Sequence, residues 1–128
     1  MFPTITIPKL HVEYQLWMNE LKFYKEEICI FERHLEKVID NTDDVIVAAQ
    51  VEHFQNQFIR QKEVIDELKH KLNVSEKQLA GFVKAVSGLG LDSFKMDNHP
   101  KLREDMNTFR KIYTELKSDF REFEVEQQ

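Results

Sequence analysis

Apolar side chains recur along the chain at alternating steps of three and four, the spacing that lines one face of an α-helix. Tyr14, Trp17, Leu21, Tyr24, Ile28, Phe31, Leu35 and Val38 make the first unbroken run. It predicts a helix from about Pro8 to Asp40, roughly 50 Å long at 1.5 Å per residue. "NTDD" then turns the chain: Asn41 suits a left-handed terminal residue, Thr42 an N-cap, and Asp43 and Asp44 the positive end of the next helix. Val47, Val51, Phe54, Phe58, Gln61, Ile65, Leu68 and Leu72 form the second run. "NVSEKQ" reads as its end, with Asn73 closing the helix and Ser75 and Gln78 forming a capping-box pattern. A short third helix through Leu79, Phe82, Val86 and Leu89 stops at "SGLG". After the loop "LDSFKMDNHP", Pro100 suits the first turn of a fourth helix carrying Leu102, Met106, Phe109, Tyr113, Leu116, Phe120 and Phe123.

Short connections make successive helices antiparallel neighbours. The expected fold is therefore all-α: an antiparallel up-down four-helix bundle with long helices 1, 2 and 4 and a short helix 3. A single domain spans 1–128, and residues 1–7, where Ile5 and Ile7 alternate with Thr4 and Thr6, form an extended N-terminal arm.

Composition narrows the function more than the fold. A net charge of -5, mixed in sign, gives no electrostatic case for nucleic acid. Cys29 is the only cysteine, which excludes an internal disulfide and suits a reducing compartment. No apolar run is long enough for a membrane span, and "MFPTITIPKL" lacks the basic start and apolar core of a signal peptide, so the expected location is cytoplasmic. Gly-rich phosphate loops, metalloprotease His pairs and nucleophile elbows are absent, and the chain is not expected to be an enzyme.

The candidate chemistry lies beside the seams. Leu16, Phe23 and Ile30 form a second apolar stripe on helix 1, and Glu13, Glu20, Glu27 and His34 run between that stripe and the seam. Glu20 and Glu27 are ringed by apolar neighbours at three and four residues, so their surface should face protein. A buried carboxylate must find a partner, take a proton or bind a cation. Arg60 is expected opposite them across the first hairpin, and Arg103, Arg110 and Lys117 make a heptad-spaced cationic row on the last helix. In "QVEHFQNQFIRQ", His53 and Arg60 flank the seam, while Gln61 occupies a seam position and needs partners for its amide. Glu20, Glu27, His34, His53, Arg60, Gln61 and Arg110 are thus the candidate buried polar network. Di-iron bundles require Glu-x-x-His on two helices, and only Glu67 and His70 offer that spacing, with His70 turned from the core. No metal or cofactor is expected.

The run "QVEHFQNQFIRQKEVIDELKH", preceded by "WMNELKFYKEEICIFERHLE", resembles a group of small uncharacterised bacterial helical-bundle proteins. The likeness covers roughly Tyr14 to Leu72; it implies a bacterial source and a helical fold and transfers no catalytic residue. The functional expectation is a non-enzymatic interaction module that binds another protein or itself through coiled-coil-like seams. A homodimer is favoured where a short third helix leaves seams uncovered, unless Leu91, Phe94 and Met96, or Phe2, Ile5 and Ile7 of the arm, fold back to fill them. The alternative is a bundle that binds a small ligand or metal through the carboxylate row. Nucleic acid and membrane are not expected partners.

Overall fold

The computed structural model describes residues 5–85, 93–94 and 99–127. These residues form three long helices and one small strand pair. Helix α1 spans Ile7–Asp40, α2 spans Val45–Ala85 and α3 spans His99–Glu126. Strand β1 (Ile5–Thr6) pairs antiparallel with β2 (Ser93–Phe94), Ile5 facing Phe94 and Thr6 facing Ser93. Of the expected arm over residues 1–7, Ile5 and Thr6 form β1, Ile7 already opens α1, and residues 1–4 lie outside the described residues. The proposed plug residues Leu91 and Met96 lie outside the described residues.

Helix α1 begins with Pro8 in its first turn, where a missing N–H costs nothing. It ends at Asn41, whose φ of -113° is not left-handed. Instead the Asn41 amide donates to the Lys37 carbonyl at 2.7 Å and its backbone N–H donates to Val38. Those bonds satisfy terminal carbonyls that the helix itself leaves open. The N-cap of α2 is Asp44 rather than Thr42: its Oδ1 accepts from the Ile46 N–H at 2.8 Å. Thr42 acts one step earlier, its hydroxyl accepting from the Asp44 N–H.

The four-helix architecture is overturned at "NVSEKQ". No break occurs there; α2 is a single helix of 41 residues, so the expected second helix and the described part of the third, as far as Ala85, are one, while Val86 and Leu89 lie outside the described residues. The heptad keeps its phase through Leu72, Ser75 and Leu79, all buried. Ser75 stands at a seam position beside the Tyr14 phenol of α1. An N-cap contributes about 1 kcal/mol. Burying Leu72 and Leu79 contributes roughly 1.5–3 kcal/mol each, so packing overrides the capping signal.

The three helices enclose one core, from Leu10 and Tyr14 at one end to Phe31, Phe58 and Phe120 at the other. Around Phe120 the rings of Phe31, Phe54 and Phe58 lie 4.8, 5.5 and 5.2 Å away by centroid. Tilted and edge-on pairs of this kind add about 0.5–1.5 kcal/mol each beyond burial.

Ion pairs show the helix directions. Lys25 meets Asp66 at 2.7 Å and Glu32 meets Lys62 at 3.0 Å, so numbers fall along α2 as they rise along α1. Between α1 and α3 four charged pairs share a separation of 90 positions, and Tyr113–Glu27 and His99–Glu13 one of 86, which makes these two helices parallel and in register. The α1 and α2 backbones approach closely, whereas α1 and α3 stand further apart and are spanned by long side chains.

Candidate functional site

Seven-residue spacing on two parallel helices builds a ladder. Glu13, Glu20, Glu27 and His34 follow one flank of α1; Arg103, Arg110, Lys117 and Glu124 follow the facing flank of α3. Each rung closes. Arg110 donates from Nε and Nη2 to the two oxygens of Glu20, at 2.6 and 3.1 Å, and from Nη1 to Asn107. This is the two-pronged geometry that makes Arg–carboxylate pairs strong. Glu27 accepts from Lys117 at 2.8 Å and from the Tyr113 hydroxyl at 2.5 Å, and its side chain is only 14% exposed. The last rung reverses its chemistry, His34 Nδ1 lying 2.7 Å from Glu124.

The first rung carries an extra member. Arg103 donates to Glu13 Oε1 at 2.6 and 3.1 Å, and His99 reaches the same pair from the start of α3. Its Nε2 accepts from Arg103 Nη2 at 3.3 Å and lies 3.3 Å from Glu13 Oε2. The ring stacks on Trp17 at 5.5 Å and meets Tyr14 edge-on at 5.6 Å. Nδ1 is buried with no hydrogen-bond partner among the described residues, as is Glu76 Oε1 on α2 nearby, whose other oxygen pairs with His11.

The titration directions follow from these contacts. Burial pushes the His99 pKa below its usual value, aided by Arg103 and opposed by Glu13. Burial also raises the phenols: Tyr14 is pushed up to about 12, and Tyr113 is raised further, with its bond to Glu27 adding to burial. Tyr24 is raised by burial and then by the Glu20 charge. The bond to Glu20 raises the already high pKa of Arg110.

Of the candidate network, Glu20 and Arg110 are brought together, Glu27 is bonded to α3, and His34 is bonded to Glu124. Arg60 reaches neither carboxylate; it is exposed and pairs with Glu63 and Glu67 on its own helix. The reason is geometric. Arg60 lines the groove between α2 and α3, with Lys71, Asp105 and Ile112, whereas the carboxylate row faces the opposite flank of α3. His53 is exposed and rests edge-on against Phe54. Gln61 is buried in the seam at 6% exposure. His99 was outside the expected network, although the steps from 99 to Leu102 and Met106 put it on the α3 seam.

Chemically the ladder is a set of compensated charges. Each carboxylate of the row meets a cation, and among the described residues no group of three or more His, Cys, Asp or Glu is placed to hold a metal ion. Comparison of the chain with protein families, curated proteins and solved structures finds no match.

Proposed function

We propose that this protein is a non-enzymatic helical interaction module that docks through the outer face of α1. The observation that carries the reading is the stripe of Leu16, Phe23 and Ile30, which remains 62, 56 and 46% exposed. Most described seam residues of the three helices are buried against one another, and α2 runs on through the place of the expected break as far as Ala85. The stripe is different: three large apolar side chains at seven-residue intervals on one unbroken helix. Scattered surface hydrophobics need no explanation, but an aligned row has the form that a partner helix reads. The compensated ladder beside it weighs against the small-ligand or metal alternative, since matched charges leave no excess field for a cation.

No helix among the described residues is long and apolar enough to cross a membrane. We place the module in a reducing, cytoplasmic setting, where an exposed Cys29 persists as a thiol. Photo-crosslinking tests the reading. With p-benzoylphenylalanine at position 23, a protein adduct is expected in extract of the native host; with the same group at exposed Lys111 on α3, none is. Equal labelling from both positions, or no adduct from position 23, would refute it.

A further inference from the structure

We infer that the occupant of the α1 stripe is a second copy of this chain, laid antiparallel about a two-fold axis beside Phe23; the inference rests on the docking reading above. Spacing is the first argument. Leu16 and Ile30 each stand seven residues from Phe23, so reversing the helix sets Leu16 against Ile30 and Phe23 against Phe23. The stripe is complementary to itself, which is the requirement of an isologous interface.

Charge is the second argument, and it selects the direction. An antiparallel two-fold brings like flanks together. On the ladder side, the carboxylates that meet across the interface are already paired with Arg110 and Lys117. On the other side the exposed Glu26 falls beside Lys22 of the second copy, an attractive contact. A parallel pair would instead set Glu26 beside Glu27 of the second copy and Lys22 beside Glu20, so that repulsion by the added acid offsets the attraction of the lysine. The contact is centred on three apolar side chains from one helix of each copy, so it belongs to the small, concentration-dependent class of interfaces.

Disulfide trapping reads both partner and direction. In a Cys29→Ser background, Phe23→Cys alone is expected to cross-link on mild oxidation, because that position lies next to its own copy. Leu16→Cys and Ile30→Cys are each expected to stay single alone and to cross-link when mixed. Lys111→Cys serves as the collision control, and circular dichroism confirms that each variant keeps its helix content. Sedimentation equilibrium of the unmodified protein, from low micromolar to millimolar, should show a dimer whose dissociation constant rises at least roughly 30-fold in Phe23→Glu. Self-linking at all three stripe positions would mean a parallel pair and overturn the arrangement. A monomer throughout, with no trapping above the control, would overturn the second copy. In that event a heterologous adduct at position 23 would leave the docking reading standing, whereas no adduct would remove both.

Discussion

His99 shows how one buried side chain makes stability depend on pH. Glu13 of α1 and Arg103 of its own helix face the imidazole, Trp17 and Tyr14 cover it, and burial lowers its pKa from the ordinary 6.5. Between that value and the lower folded one, the unfolded chain binds more protons. The His99 contribution is therefore full above about pH 6.5 and lost as pH falls through the folded value. The urea midpoint should drop on acidification through this window, and His99→Phe, which keeps a ring on Trp17, should flatten the drop. Tyr113 offers a second test: removing its hydroxyl takes one of two donors from a largely buried carboxylate. Tyr113→Phe should cost about 1.5–3 kcal/mol in urea unfolding, the range for a bond to a charged acceptor. At this scale the sequence is informative about rows and less so about rungs. Glu20, Glu27, Arg103, Arg110 and Lys117 stand out by their spacing, but Arg60 has the same signature and faces elsewhere. Only the rotation of α2 about its axis separates the two cases, and a heptad pattern does not state which neighbour each flank meets.

Helix α2 illustrates the corresponding point for elements. Its existence is written in the apolar spacing, but its length is obscured by Asn73, Val74 and Ser75, which are weak helix formers in a pattern that normally opens a helix. Continuity of phase across them is the better guide, because three and four alternate through Leu68, Leu72, Ser75 and Leu79 without slipping. A proline at position 73 tests the continuous helix. It removes an interior hydrogen bond and clashes with the preceding turn, so Asn73→Pro should cost roughly 3 kcal/mol or more. A loop at this place would tolerate the change, and thermal unfolding by circular dichroism distinguishes the outcomes. Gln61, buried in the same helix, bears on specificity. Replacing its amide with an apolar group of similar size lifts the burden of satisfying a buried polar group. Gln61→Leu is expected to hold or raise the melting temperature while loosening register or assembly. A large destabilisation would show that the amide completes a satisfied polar contact.

For the whole molecule the decisive relation is between α1 and α3, which are parallel and not joined by a tight turn. The turn at Asn41–Asp44 fixes α1 against α2 locally, but α3 could in principle slide by a heptad along the groove and still present apolar residues to the core. The ladder opposes that slide. A shift of seven residues would strand Glu13 and Glu124 in one direction or Arg103 and His34 in the other, while the reversed last rung would set Lys117 against His34 or Glu124 against Glu27. Charge order thus supplies register where apolar spacing is degenerate. The Glu20–Arg110 rung is the place to measure this, since both side chains are about a third exposed and neither sits in the apolar core. Glu20→Arg alone places like charges together, as does Arg110→Glu, and each single change should destabilise the fold. The double exchange restores an opposite pair at the same separation and should recover most of the loss. After solvent screening the coupling energy is expected at about 1 kcal/mol or below, and it should shrink as salt is added. A cycle with no coupling at low salt would show that core packing alone sets the α1–α3 register.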